Sequence, residues 1–309
     1  MSGSSPDRVP HRALITGAAM TATLMQVLDS NMANVALPYM QGALSASSVE
    51  VTWVLTSYVM AAAIMTAPVG WMATRYGRKN LFIACLGGFT GFSMLAGGAH
   101  TLEQMVTFRV LQGVCGAALV PLSQATMLDI YPFERRAHAM AIFGIGVMLG
   151  PILGPTLGGY LTEIYDWRYV FYVNLPLGIL AATGLLLFMP RTPVRADLRF
   201  DWTGFAVLGV GIGCLQLMLD RGSGEDWFTS REIMVEAVLA VLGLYLFTVH
   251  MLTAEKPFIS PLVFADRNFI TCVLLMLFGG SILMASSALL LFMSSRPVPL
   301  RPTLPPLLE

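Results

Sequence analysis

The sequence predicts an all-α polytopic membrane protein, and three observations carry that prediction. Apolar stretches of spanning length recur along most of the chain. Charged residues are scarce, 12% against 56% hydrophobic, with a mean hydropathy of +0.70. A soluble domain this apolar would expose large greasy patches. The third observation is a stripe of glycines, Gly146, Gly150, Gly154 and Gly158, interleaved with Pro151 and Pro155 in one apolar segment. A spacing of four stacks these glycines on one helical face, where another backbone can approach closely. Each proline removes a backbone donor and crowds the preceding turn, so this helix is predicted to be bent or softened.

Stretches of about 18–25 apolar residues suit bilayer-spanning helices. Nine are read, at 13–37, 51–73, 81–99, 103–127, 138–162, 169–189, 202–220, 233–252 and 269–293. The first follows Arg8 and Arg12 as a signal peptide would, but it runs well past an h-region and is read as uncleaved. Lys and Arg fall twelve on the N-terminal side against three opposite (Arg168, Arg221, Arg231), which places the N-terminus in the cytoplasm. The last sixteen residues carry five prolines and are predicted to be non-helical.

The formal net charge is zero, with no basic block, so a nucleic-acid partner is not expected. Cys85, Cys115, Cys214 and Cys272 lie in apolar runs without a CxxC pair and read as small core residues. No HExxH, Walker loop, nucleophile elbow or metal-ligand cluster is present, so neither an enzyme nor a cofactor or metal is expected.

Two ionisable residues sit deep in spans, Asp29 in the first and Arg109 in the fourth. A charge at that depth costs at least about 2.5–3.5 kcal/mol and marks a functional position, with a purely stabilising pair as the alternative. Gln26 lies one turn before Asp29, and Asn31 and Asn34 add amides for neighbouring helices. Arg109, Gln112, Gly113 and Gly116 share a face. Asp29 is the candidate proton carrier, poised between burial and a nearby guanidinium, whereas Arg109 stays charged. Asp129 and Glu134 beside Arg135 and Arg136 read as a solvated cluster, and Glu236 as a residue that snorkels. The four histidines, all at or near interfaces, read as structural. Trp53, Tyr58 and Phe143 are candidate cavity aromatics.

Six motifs occur in a definite order. They are LDSNMANVALP at 28–38; GWMATRYGRK at 70–79, with Gly70, Arg75, Gly77, Arg78 and Lys79; FRVLQGVCGAA at 108–118; the glycine-proline stripe through Gly159; DWR…NLP, with Asp166, Trp167, Arg168, Asn174 and Pro176; and the pair of spans opening FDWTG and containing LDRG at 219–222. This series resembles the major facilitator superfamily, and within it the fourteen-helix drug:proton antiporters. Thr74 departs from the loop motif, which carries an acid there.

The resemblance implies the major facilitator fold. A cytoplasmic tail (1–12) would precede an N-terminal six-helix bundle (13–190). A linker with two extra helices (191–254), the first helix of the second bundle (255–293) and an aberrant Pro-rich tail (294–309) would follow. It implies a central cavity with Asp29, Arg109, Gln26, Asn34 and Gln112 in proton and substrate handling. Gly146, Gly150, Gly154, Pro155, Gly158 and Gly159 would form the antiporter helix motif that seals the switch in access. It implies export of amphipathic or cationic small molecules against protons from a bacterial inner membrane, with a periplasmic adaptor and an outer-membrane channel as partners. Fourteen helices are five more than the nine read here, so the chain is expected to be cut short by a frameshift, early stop or misplaced gene end, and not to transport alone. The rival readings are a non-transporting remnant and a transporter of a defined metabolite.

Overall fold

The computed structural model describes residues 11–195, 197–255 and 257–294. The expectations for residues 1–10 and for the tail from 295 on, and the place of Lys256, lie outside them. Two compact units divide the chain between Phe258 and Ile259.

The first unit begins with α1 (Arg12–Ala43), a 32-residue helix. Next come α2 (Trp53–Thr66) and α3 (Val69–Tyr76), bent by 59° from one another, and α4 (Arg78–Gly97). α5 (Leu102–Gly116) and α6 (Leu119–Ile130) form one span of 29 residues. After α7 (Phe133–Ile164), α8 (Tyr169–Tyr172) and α9 (Asn174–Phe188) form the sixth span. α10 (Trp202–Arg221) and α11 (Arg231–Thr253) close this unit, and the second unit contains α12 (Arg267–Ser294).

All nine predicted spans are therefore helical, but they are not equivalent. Among the described residues six are long and apolar enough to cross a membrane unbroken, and α2 with α3 makes a seventh. That seventh span is broken at Ala67–Pro68, where the proline has no amide to continue the ladder. α1 has the length, but Gln26, Asp29, Asn31 and Asn34 dilute its apolarity. α12 qualifies as a shorter apolar helix over Arg267–Ile282. Pro151 and Pro155 leave α7 unbroken.

α1 runs through the middle of the first unit, against α6, α7 and α9. One buried cluster joins Ala22 and Met25 to Phe82, Phe89, Leu119 and Leu185. A second joins Met32 and Met40 to Val54, Met105, Trp167 and Phe171. The glycine stripe faces α1. A Cβ on Gly154 would lie 2.5 Å from the Asn31 Cβ, and one on Gly158 3.1 Å from the Met32 Cα. Gly146 and Gly150 likewise meet Met20 and Val27, whereas a Cβ on Gly159 would meet open space. α10 and α11 pair as closely, since a Cβ on Gly243 would stand 2.7 Å from the Gly211 Cα. Asp220 ties this hairpin to α2 by accepting a hydrogen bond from the Thr56 hydroxyl.

Candidate functional site

The site is assembled where α1, α2, α4, α5 and α9 meet. Thr101 caps α5 by accepting from the Gln104 amide, 3.3 Å away. From this start Arg109, Gln112, Gly113 and Gly116 all turn inward and are buried. Gly113 lets α2 come close, since a Cβ there would lie 2.5 Å from the Tyr58 carbonyl oxygen. That approach brings α2 against the Arg109 side chain. Arg109 Nε donates to the Val54 carbonyl (3.1 Å), and the guanidinium carbon lies 4.3 Å from the Tyr58 ring centroid.

Arg109 Nη1 donates to Asp29 Oδ2 at 2.7 Å and to Gln112 Oε1 at 2.8 Å. Asp29 Oδ1 accepts from Gln112 Nε2 at 3.0 Å and from Asn174 Nδ2 at 2.6 Å. Asn174 Nδ2 also donates to Ser93 Oγ (2.8 Å), which in turn donates to the Phe171 carbonyl (2.9 Å). Asp29, Ser93, Arg109, Gln112 and Asn174 are all 0% exposed. Three N–H donors converge on the carboxylate, so the ion pair is desolvated but richly hydrogen-bonded, the condition under which such a pair is tolerated in an interior. Four buried polar atoms around it have no hydrogen-bond partner among the described residues: Arg109 Nη2, Tyr58 Oη, Gln26 Oε1 and Asn174 Oδ1.

The structure brings Asp29, Arg109 and Gln112 together. Gln26 lies beside the Tyr58 hydroxyl, one helical turn before Asp29. Asn34 is exposed and stands apart, because five residues carry it about 140° round the helix from Asp29. Asn31 does not reach a neighbouring helix through its amide, which donates to its own Val27 carbonyl at 2.7 Å. The sequence does not mark Asn174 and Ser93 as site residues; its one signal is Asn174 in the motif that opens the sixth span. Phe143 belongs to a core cluster with Met127 and Ala139, and Trp53 lies against Arg221.

The loop motif is tied to helix ends and to the segment after α9. Gly77 adopts φ +84°, which disfavours any side chain, and leads directly into α4. Arg75 Nη1 donates to the Leu198 carbonyl at 2.6 Å, and Lys79 Nζ to the Leu186 and Met189 carbonyls at 2.8 and 2.6 Å. Lys79 thus sits on the carbonyl end of α9, where a cation complements the helix dipole. Arg78 pairs with Asp129 and donates to the Ala125 carbonyl at 3.2 Å. Asp129 is therefore partnered across helices, not with Arg135 or Arg136 beside it in sequence. A helix end aims its side chains at whatever packs there, and here that is α4. Gly70 faces open space, and the Thr74 carbonyl accepts from the Arg195 amide at 3.0 Å. A cavity of about 530 Å³ lies here, lined by Thr66, Val69, Thr74, Arg78, Asp129 and Thr192.

Two further polar contacts belong to the α10–α11 hairpin. Glu236 is buried, with Oε1 3.8 Å from Arg221, and does not snorkel, because Arg221 closes over it. His250 Nε2 lies 2.9 Å from both Asp201 carboxylate oxygens. Burial alone would raise the Asp201 carboxyl, but the Gly204 amide and His250 together hold it below the ordinary carboxylate value.

Residues 19–304 match the family described as Major Facilitator Superfamily. The chain is 39% identical over 277 residues to Multidrug export protein EmrB of Escherichia coli (strain K12), a match covering 88% of this chain and 54% of that protein. It is 37% identical over 279 residues to Fatty acid resistance protein FarB of Neisseria gonorrhoeae, covering 90% and 55%. The chain thus spans about half the length of these curated relatives. A solved peptide transporter, POT, in complex with sulfate, aligns at a TM-score of 0.59 and 16% identity over 78% of this chain and 53% of that one, which is a likeness of fold. With apolar helices, a glycine seam and a buried Asp–Arg pair set inside the matched residues, this chain belongs to the Major Facilitator Superfamily and is a multi-pass membrane protein.

Proposed function

We propose that the chain supplies the proton-coupled N-terminal bundle of a multidrug efflux antiporter in a bacterial inner membrane, with its N-terminus in the cytoplasm. The exported compounds would be amphipathic or cationic. The observation that carries this reading is the Asp29–Arg109 pair, 2.7 Å apart and without exposed surface in spanning helices. A buried charge in a membrane helix is maintained for function, and a pair that closes and opens gives two states that proton and substrate can favour differently. α1 carries Asp29 on one side and receives the glycine stripe of α7 on another, so a shift along that seam moves the carboxylate directly. Relatives named for multidrug export and fatty acid resistance support export as the direction, and the second makes amphipathic carboxylates the alternative cargo. A periplasmic adaptor and an outer-membrane channel are the partners this reading calls for.

The test is dye export driven by an imposed pH gradient in cells lacking their own pumps. This chain is expressed with the remaining five helices of the second bundle of the Escherichia coli relative fused after residue 293. Asp29→Asn is expected to abolish export of a cationic dye while the protein still inserts. Undiminished export by that variant would remove Asp29 from the mechanism. Export of a fatty acid but not of a cationic dye would select the second cargo.

A further inference from the structure

The donors around Asp29 suit a carboxylate, yet a proton carrier must also be accommodated as a carboxylic acid. The new hydrogen then needs an acceptor. Gln112 Oε1 is already taken by Arg109 Nη1, and the remaining contacts on Asp29 are N–H groups. Of the buried acceptors without a partner at the site, Gln26 Oε1, Tyr58 Oη and Asn174 Oδ1, the last is on the residue already hydrogen-bonded to the carboxylate, and that residue has no exposed surface. Asn174 Oδ1 belongs to the same amide whose Nδ2 stands 2.6 Å from Asp29 Oδ1.

We propose that Asn174 is a positioning residue whose amide turns over with the protonation of Asp29. With Asp29 ionised, Nδ2 donates to Oδ1 of Asp29 and to Ser93 Oγ, as in this structure. When a proton adds to Asp29 Oδ1, a half-turn of the amide brings Asn174 Oδ1 into the same place as acceptor. Ser93 can follow by turning its hydroxyl from the Phe171 carbonyl to the amide oxygen, because a hydroxyl both donates and accepts. The proton comes from a hydronium ion, whose O–H bond breaks to release water as the acid O–H forms; no other covalent bond changes, and neither state leaves Asp29 facing an unmatched group.

Arg109 tolerates the loss of charge on Asp29 for a parallel reason. It keeps the Val54 carbonyl, Gln112 Oε1 and the Tyr58 ring when the carboxylate is neutralised. The charged and titratable groups facing Asp29 are Arg109 from α5 and Tyr58 from α2; α4 and α9 present the neutral Ser93 and Asn174. This inference rests on the reading of Asp29 as the proton carrier and adds the group that makes both of its forms fit.

The experiment is infrared difference spectroscopy between low and high pH on the purified chain in lipid nanodiscs, with the acid carbonyl band of Asp29 identified by its loss in Asp29→Asn. In the unaltered chain the band should lie where a hydrogen-bonded acid absorbs. In Asn174→Leu it should move to higher frequency, as for an acid without an acceptor, and Asn174→Val gives the same readout if the larger side chain blocks folding. Asn174→Ser, which retains an acceptor, should restore the band. An Asp29 band at one frequency in all of these variants overturns the role of Asn174 and leaves the proton-carrier reading intact. Absence of any Asp29 acid band in the folded, unaltered chain overturns both.

Discussion

Two arginines in this protein sit among carboxylates, and they differ in nearly every respect that matters energetically. Arg109 has one acidic partner, no exposed surface, and acceptors from α1, α2 and α5 within hydrogen-bond reach. Arg221 has three acidic partners, Glu225, Glu232 and Glu236, and its side chain is 25% exposed. Counting charges would rank the second cluster as the stronger. Burial reverses that ranking. Around Arg221, water screens each pair and the long side chains lose freedom by pairing. Around Arg109, the alternative to pairing is a bare charge in a dry interior. The Arg221 cluster fastens a helix hairpin. The Arg109 cluster is the one of the two in which removing a partner should destabilise the bundle strongly.

The sharpest test of that contrast is Arg109→Met. It leaves Asp29 buried and unpaired and should destabilise the chain by about 3–5 kcal/mol, read from unfolding in detergent. Asp29→Asn combined with Arg109→Gln should destabilise it far less, because no lone charge remains. Equal losses from the two would show that desolvation is not what separates the arginines.

The same logic of close contact against open space divides the glycines of α7. Gly154→Leu should lower stability by about 1–3 kcal/mol through overpacking against Asn31, whereas Gly159→Leu, with open space before it, should be silent in the same measurement. A silent Gly154→Leu would mean that the seam yields easily.

Asp201→Ala removes the side chain that accepts from the Gly204 amide at the start of α10, and should lower stability by about 1 kcal/mol. It should also flatten the acid limb of the stability profile. Because the Asp201 carboxyl is held below its ordinary value in the folded chain, its contribution is complete above the unfolded-state value near about 4 and fades as pH falls through the folded value. A profile unchanged by this substitution would place the acid limb on other carboxylates. The smallest effect belongs to the exposed cluster: Glu232→Gln should leave the unfolding midpoint unchanged within error. A clear destabilisation there would break the contrast from the other side.

Much of the architecture is legible in the sequence, since a bilayer imposes length and apolarity on each segment separately. The helices over 13–37, 138–162 and 202–252 lie where periodic apolar residues and glycine spacing put them. Asp29, Arg109 and Gln112 stand out for the same reason: polar groups in an apolar run are conspicuous before any contact is known. Asn174 and Ser93 are not conspicuous, because a small polar side chain near the end of a span is compatible with an interface as well as with a core. The position of Asn34 depends on helix phase, the partner of Asp129 on which helix packs beside its end, and the closing of Arg221 over Glu236 on the geometry of the hairpin. The sequence by itself therefore determines which residues are helical, which faces can pack closely and which charges would be costly to bury. Only the tertiary structure decides which of those polar groups meet, since hydrogen bonds act over about 3 Å and their partners here lie from 3 to 145 positions apart.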